Sequence, residues 1–239
     1  MRTDGRTGAQ LRPVTIEANF LQNPLGSVLI SFGNTKVICS VSIEDAIPRW
    51  LKGAGHGWLT AEYSMLPCAG CERSPRESTR GKLGGRTHEI QRLIGRSLRS
   101  VFDLTKLGER TLWVDCDVIQ ADGGTRTAAV TGGFIALELA VERLLGNGTL
   151  FQTPIKERMA AVSVGVVKNE ILLDLCYAED VIAEVDMNVV MTESGKLIEI
   201  QGTAETNPYT KEMCMEMINI AHGGVIQLLN ISKEALASL

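Results

Sequence analysis

Alternating hydrophobic and polar positions predict several β-strands in the first part of the chain. The segments with this two-residue period are residues 12–18, 27–32, 36–43 and 58–65. Gly33 and Asn34 separate the second segment from the third, and this pair favours a tight hairpin turn. The pattern therefore predicts that the chain begins as an antiparallel meander.

Three amphipathic helices are predicted from apolar residues that recur at spacings of three and four. The first stripe is Ile90, Ile94, Leu98 and Val101, and the second is Val130, Phe134, Leu137, Val141 and Leu144. The last helix covers about residues 210–229, with Met213, Met217, Ala221, Val225 and Leu228 on one face. Stripes of this kind are usually core positions.

The second half of the chain repeats the pattern of the first. Strands are predicted at residues 161–167, 170–176, 185–191 and 196–201, with Lys168 and Asn169 as a two-residue turn. Strands followed by helices in each half indicate the α+β class. We expect two β-rich halves of mixed β-α-β-α order, folded as a single domain over residues 1–239 without a linker.

Composition places the chain among globular proteins and excludes a membrane role. Of its 239 residues, 44% are hydrophobic and 22% are charged, and no apolar run is long enough to cross a bilayer. The N-terminal residues are polar and contain no apolar signal core, so we expect a cytoplasmic protein. The net charge is −4, yet residues 73–110 contain ten Lys and Arg against four Asp and Glu. This block predicts a local surface for a polyanion.

The six cysteines fit a reducing compartment. Cys39, Cys116 and Cys176 fall in predicted strands, which is typical of core thiols. Cys68 and Cys71 form a single C-x-x-C pair without a second pair at ligand spacing. This arrangement fits a reversible disulfide, or no role, better than a zinc site.

A glycine pair between a strand and a helix predicts an anion site. Gly123, Gly124, Thr125 and Arg126 follow the strand at residues 113–119 and precede the second helix. Glycine allows close approach to the backbone, the first helical turn has unpaired N–H groups, and arginine binds phosphate oxygens. The alternative is a plain strand-to-helix turn that is capped by Thr125 or Thr127.

The same order of residues occurs earlier, at the start of the first helix. Gly84 and Gly85 precede Arg86, so Arg86 and Arg126 could converge on one phosphate. A long aperiodic loop, residues 68–85, comes before this helix and contains Arg73, Arg76 and Arg80. Such a loop is either an RNA contact or a solvated flexible segment.

Two acidic residues in the second half predict a cation site. Asp186 interrupts an otherwise apolar strand, together with Asn188 on the same face, and Asp180 lies six residues earlier. A carboxylate there is unfavourable unless it is paired or binds a cation. Oxygen ligands suit Mg²⁺ or Mn²⁺, whereas a salt-bridged structural Asp186 is the alternative.

Taken together, these motifs resemble the ribonuclease PH family over essentially the whole chain. The matching segments are residues 2–5, 12–15, 57–63, 84–94, 115–127, 186–191 and 199–205. The resemblance implies a duplicated fold like domain 2 of ribosomal protein S5, assembled as a homohexamer that is a trimer of dimers. It also implies a phosphate-dependent 3′-to-5′ exoribonuclease with inorganic phosphate as co-substrate and Mg²⁺ or Mn²⁺ as cofactor.

The resemblance assigns roles and substrates as well. It implies phosphate binding by Arg86, Gly124, Thr125 and Arg126, and catalysis and metal binding by Asp180 and Asp186. It implies RNA contact at Arg73, Arg76 and Arg80. The expected partners are tRNA precursors, trimmed after the CCA end, and other structured RNA 3′ ends including those of rRNA, with no DNA and no membrane. The expected products are nucleoside 5′-diphosphates, in a reversible nucleotidyl transfer.

Three other interpretations use the same residues differently. A catalytically silent RNA-binding ring subunit of an exosome-like complex would share the fold, but the expected arginines and aspartates are all present here. A subunit resembling polynucleotide phosphorylase would be a much longer chain. A phosphate-binding enzyme for small molecules would not require the basic loop.

Overall fold

The first half of the chain forms a five-stranded sheet in this computed structural model, which describes residues 2, 4–237 and 239 except the side chain of Arg80. The sheet contains β1 (Val14–Ala18), β2 (Gly26–Phe32), β3 (Thr35–Glu44), β4 (Trp58–Met65) and β5 (Thr111–Gln120), in the order β1-β2-β3-β5-β4. The first three strands form the predicted antiparallel meander.

The prediction of a meander was wrong for β4. This strand pairs in parallel with β5 and lies at the edge of the sheet, with Ala61 beside Val114. Helix α1 (Gly85–Ser100) lies between the two strands in sequence and packs on β4. A parallel pair needs a crossover connection of this kind, so the long excursion through α1 decides the pairing.

The second half forms a four-stranded antiparallel sheet. Its order is β7-β6-β8-β9, and the strands are β6 (Met159–Val167), β7 (Glu170–Leu173), β8 (Val185–Thr192) and β9 (Leu197–Ala204). Lys168 and Asn169 both have positive φ, as the predicted two-residue hairpin requires. Strand β7 is three residues shorter than predicted, since Asp174 adopts a φ of +54° and turns the chain away.

Helix α2 (Thr125–Gly146) connects the two sheets. It packs on β2 and β3 of the first sheet and on β6 of the second. Its buried residues extend well beyond the predicted stripe, because a helix covered on several sides needs apolar residues around most of its circumference. At Gly132 a Cβ atom would lie 2.7 Å from Ile30, so the absence of a side chain allows the helix to approach the sheet closely.

The remaining helices are α3 (Tyr177–Asp180) and α4 (Lys211–Ala237). Helix α4 continues eight residues beyond its predicted end and packs on β1 and β6. One hydrophobic cluster contains core residues of both halves, such as Val114 and Val189. The predicted α+β class is confirmed, whereas the single-domain organisation stays a prediction. Among the described residues, no helix has the length and apolar character needed to span a bilayer.

Candidate active site

The loop between β5 and α2 has a backbone conformation that two consecutive glycines make accessible. Gly123 and Gly124 have φ of +76° and +65°, a region that residues with side chains rarely adopt. At Gly123 an added Cβ would lie 2.6 Å from the carbonyl oxygen of Leu175 and 2.8 Å from the amide nitrogen of Tyr177. The loop therefore packs directly against the segment that leads into α3.

Backbone N–H groups at the N-terminus of α2, where the loop ends, have no partner within the helix. The first helical hydrogen bond runs from the amide of Ala128 to the carbonyl oxygen of Gly124, at 3.0 Å, so the preceding N–H groups lie outside the helical ladder. Thr127 donates its hydroxyl to the same carbonyl, at 2.9 Å, instead of accepting from an amide. Neither Thr125 nor Thr127 therefore caps the helix, and the unpaired N–H groups suit an anion, whose binding stays a prediction.

Side chains from the first sheet hold the loop in place. Thr35 Oγ1 donates to the carbonyl oxygen of Gly123 at 2.6 Å and accepts from the amide of Asp122 at 2.9 Å. Arg12 Nη1 donates to the carbonyl oxygen of Asp122 at 2.5 Å. The buried Tyr63 hydroxyl donates to Thr125 Oγ1 at 3.0 Å and so orients that hydroxyl. These hydrogen bonds fix the loop against the first half of the chain.

Arg86 and Arg126 lie on the same cavity, as their matching sequence contexts suggested. Burial raises the pKa of Asp180 and that of Tyr63, and both guanidinium groups lie close enough to oppose this shift. Arg126 Nη1 also donates to Gln201 Oε1 at 3.0 Å and to Glu89 Oε1 at 3.2 Å. These partners direct the Arg126 side chain from α2 toward β9.

The carboxylates of Asp180 and Asp186 face the same cavity from the second half of the chain. The pKa of Asp186 is raised to about 6, first by burial and then by the nearby Asp180 carboxylate, while Arg126 opposes both effects. Burial also raises the pKa of Asp180, while Arg86 and Arg126 lower it. Asn188 Nδ2 lies 3.5 Å from Asp186 Oδ2, too far for a strong hydrogen bond.

The cavity that these groups share has a volume of about 590 Å³. It contains all six residues that the sequence assigned to phosphate binding or catalysis: Arg86, Gly124, Thr125, Arg126, Asp180 and Asp186. These residues come from α1, the β5–α2 loop, α2, α3 and β8. The structure thus brings them together, and their individual roles stay predictions.

The donor set of the cavity fits a hard divalent cation. The two carboxylates and the amide oxygen of Asn188 are oxygen ligands, and a cation would relieve the repulsion that raises the pKa of Asp186. Across the described residues, no group of three or more His, Cys, Asp or Glu side chains gathers at metal-binding distances. Mg²⁺ commonly binds through one or two carboxylates together with substrate phosphates and water, so two carboxylates suffice.

The basic loop borders this cavity and a second one. Arg76, Lys82 and Arg86 line a neighbouring cavity of about 700 Å³, and Arg73 is exposed on the same loop. Arg80 ends a short 3₁₀ helix, Glu77–Arg80, but its predicted RNA contact depends on a side chain outside the described atoms. Glu77 Oε1 accepts from Thr87 Oγ1 at 2.8 Å and so connects the loop to α1.

Sequence reasoning missed several residues of the site. Tyr63, Ser163 and Gln201 contact or line it, yet each occurs inside an ordinary strand pattern. Asn188 shares a strand face with Asp186, and that alternation was the available signal. Cys71 reaches the cavity as an exposed free thiol, and Cys68 is exposed nearby.

Comparisons with known proteins identify the class of molecule that this fold and site belong to. Residues 10–141 match the model of the 3′ exoribonuclease family, domain 1, and residues 157–224 match that of domain 2. A rice (Oryza sativa) Rrp46 structure has a TM-score of 0.79 at 21% identity, covering 97% of this chain and 98% of that one. An Archaeoglobus fulgidus exosome structure has a TM-score of 0.82 at 20% identity, with coverages of 96% and 91%. These structural likenesses concern the fold.

Sequence relatives make the assignment more specific. A ribonuclease PH of Halalkalibacterium halodurans is 57% identical over 240 residues, covering 100% of this chain and 93% of the relative. A ribonuclease PH of Bacillus subtilis is 55% identical, covering 99% and 97%. The chain belongs to the ribonuclease PH family of 3′ exoribonucleases. The predicted resemblance is confirmed, and so is the prediction of a phosphorolytic exoribonuclease with nucleotidyltransferase-type activity.

Proposed function

We propose that the protein trims the 3′ ends of tRNA precursors, removing nucleotides after the CCA end and acting also on other structured RNA such as rRNA precursors. One observation carries the proposal: two arginines, a helix N-terminus and two carboxylates surround a single cavity. The names of the relatives and the basic loop support an RNA substrate. The archaeal neighbour is described with RNA bound to its active site.

Inorganic phosphate is the nucleophile of the proposed reaction. The guanidinium groups of Arg86 and Arg126 and the N–H groups at the start of α2 would hold it in the cavity. A phosphate oxygen attacks the phosphorus of the last phosphodiester, and the bond to the 3′ oxygen of the preceding nucleotide breaks. The products are a nucleoside 5′-diphosphate and an RNA shortened by one residue. Most of the rate enhancement comes from positioning and charge neutralisation.

Asp180 and Asp186 would hold Mg²⁺ or Mn²⁺ against the reacting phosphoryl group. A cation bound there supplies charge neutralisation for the phosphoryl oxygens and the departing 3′ oxygen. With its pKa near 6, Asp186 is mostly ionised at neutral pH, which favours cation binding over proton donation. Substitution of either aspartate by asparagine is expected to abolish turnover and to spare RNA binding.

The proposal extends to assembly and location. We propose a homohexamer, arranged as a trimer of dimers, in the cytoplasm, with no DNA or membrane partner. Sedimentation equilibrium measures the assembly directly, and six 25.9-kDa chains are the expected mass. A stable monomer that retains full activity would contradict the ring.

The deciding experiment offers the protein a tRNA with a 3′ extension, with and without phosphate, and identifies the released nucleotides. We expect nucleoside 5′-diphosphates to be released only when phosphate is present. Trimming should stop close to the CCA sequence. Excess nucleoside diphosphate should in turn extend the RNA, which tests reversibility. Release of monophosphates without phosphate would indicate hydrolysis. No nucleotide under any condition would indicate the alternative, a silent RNA-binding subunit.

A further inference from the structure

Three arginines near the N-terminus contact two buried carboxylates beside the active site. Arg2, Arg6 and Arg12 meet Asp174 and Glu179, and we call these five residues the arginine clasp. All five are at most 8% exposed. A buried ion pair is weak support for stability, because its desolvation offsets much of its attraction.

One part of the clasp holds Glu179, which immediately precedes Asp180. Arg2 binds Glu179 through two hydrogen bonds, Nε to Oε1 at 2.7 Å and Nη2 to Oε2 at 2.6 Å. Arg6 Nη2 approaches Oε2 to 3.7 Å. Glu179 Oε2 also accepts from the amide of Cys176 at 3.1 Å. The carboxylate therefore connects the N-terminal arm to both ends of α3.

The other part of the clasp joins Asp174, three residues before α3, to the loop between β5 and α2, which we call the phosphate-binding loop. Arg12 donates to Asp174 from its amide at 2.8 Å, from Nε at 3.0 Å and from Nη2 at 2.6 Å. The same guanidinium reaches the carbonyl oxygen of Asp122 at 2.5 Å. Asp174 is fully buried and holds a φ of +54°, a strained conformation for a residue with a side chain.

Besides the clasp, α3 is held at its first residue, where the amide of Tyr177 donates to Asp122 Oδ1 at 3.2 Å. Of its four residues, Glu179 is the buried one, and Tyr177 is 54% exposed. Val181 and Ile182, which follow it, are 63% and 54% exposed. Apolar packing therefore contributes little at Asp180 itself, although Leu175 and Ala183 are buried on either side. Within α3, the bond between Arg2 and Glu179 is therefore the buried contact next to Asp180.

We propose that the arginine clasp is a positioning device that sets Asp180 for cation binding and fixes its distance from the phosphate-binding loop. The proposal rests on the proposed function, in which Asp180 and Asp186 hold the divalent cation. The pair of Arg2 and Glu179 positions Asp180. The pair of Arg12 and Asp174 contacts both the segment before α3 and the phosphate-binding loop. Residues that orient a metal ligand typically change metal affinity or activity about 10- to 100-fold when they are replaced.

Glu179→Gln tests the cation side of the clasp. The amide keeps the shape of the side chain but cannot accept both hydrogen bonds from Arg2. Mn²⁺ binding, measured by calorimetry without RNA, is expected to weaken about 10-fold or more. The turnover number should fall at fixed Mg²⁺, while the KM for phosphate stays within about twofold of the parent, since the phosphate-binding loop is untouched.

Glu138→Gln is the matched control. Arg158 binds Glu138 through two hydrogen bonds of 2.7 Å each, the same arrangement as the pair of Arg2 and Glu179. The control should lower the thermal midpoint and leave Mn²⁺ affinity unchanged. Equal Mn²⁺ affinity in Glu179→Gln and the parent would overturn the proposal, because a merely structural pair affects stability alone.

Two further variants keep the outcome interpretable. Arg2→Lys retains the charge but can make a single contact, so its Mn²⁺ affinity should fall between those of the parent and Glu179→Gln. It replaces Glu179→Gln should that variant fail to fold. Asp186→Asn marks the loss of the cation site. A parent that binds no Mn²⁺ but still carries out phosphorolysis would overturn both the cation site and the clasp. If Glu179→Gln binds Mn²⁺ like the parent and Asp186→Asn does not bind it, the proposed role of the clasp is overturned and the cation site stands.

Discussion

Asp186 lies in an environment that opposes its charge. Its pKa of about 6 in the folded protein exceeds the ordinary value of 3.8, mainly because the carboxyl is buried and Asp180 is close. The folded state therefore binds more protons than the unfolded state between about pH 4 and 6. Stability should fall as pH rises through this range, and the ionised carboxylate costs about 1 to 3 kcal/mol above it.

We predict that Asp186→Asn stabilises the protein when divalent cations are removed. The neutral amide avoids the unfavourable charge, so unfolding in EDTA should require about 1 to 3 kcal/mol more at pH 8. The gain should shrink as pH falls through about 6, where the parent carboxyl takes up a proton. Urea unfolding at several pH values measures the difference.

The cation provides the control for this substitution. Mg²⁺ or Mn²⁺ should raise the thermal midpoint of the parent and leave that of Asp186→Asn unchanged, because binding to the folded state alone stabilises it. A variant that is less stable than the parent at pH 8, or an advantage that does not change from pH 5 to 8, would contradict the account of Asp186.

At the scale of elements, local patterns in the sequence predicted more than the pairing between distant segments. The two-residue turn at Lys168 and Asn169, the strand at Asp186 and the two glycine-led helix starts all follow from neighbouring residues. The parallel pairing of β4 with β5 depends on a crossover through α1, and no local pattern specifies it.

In the candidate site, too, residues in local motifs were predicted and contacts between distant residues were not. Its six predicted residues were found through their motifs, and the cavity brings them together. The clasp was missed, because Arg2 and Glu179 are 177 positions apart and neither has an unusual local context. The Tyr63 hydroxyl was missed for a similar reason, since a tyrosine in a strand is ordinary core.

The basic loop before α1 supports a prediction about RNA affinity. Replacing both Arg73 and Arg76 with alanine should weaken tRNA binding and reduce its salt dependence, because fewer counterions are released. The slope of log K against log salt should become shallower by about 1.4 to 1.8 for two lost phosphate contacts. Binding measured across a salt series gives the slope.

A second double variant controls for net charge. Arg143→Ala with Lys196→Ala removes the same number of charges, one near the C-terminal end of α2 and one in the turn between β8 and β9. This variant should keep the parent slope. If the Arg73 and Arg76 variant also keeps it, the loop does not contact RNA phosphates.

On the scale of the whole molecule, the shared core predicts that the two halves unfold together. Val114 in β5 and Val189 in β8 are both fully buried, both lie in strands that are paired on both sides, and both belong to one hydrophobic cluster. Truncating either valine to alanine should destabilise the protein by about 2 kcal/mol. Each variant should shift one common transition by roughly 4 to 8 °C.

Calorimetry at a fixed protein concentration measures these transitions. The concentration must be constant, because assembly into a ring would itself raise the midpoint. Two separate transitions, of which each valine variant moves a different one, would show that the halves are independent domains and would contradict the single-domain prediction.

The central claim is that Arg86 and Arg126, together with the start of α2, bind the phosphate that attacks RNA. The most direct measurement is the rate of nucleoside diphosphate release against phosphate concentration for Arg126→Ala, with Arg143→Ala at the other end of α2 as the control. The account predicts a loss of about 100-fold or more for Arg126→Ala, with a normal thermal midpoint, and a parent-like curve for the control. A parent-like rate and phosphate dependence in Arg126→Ala would contradict it.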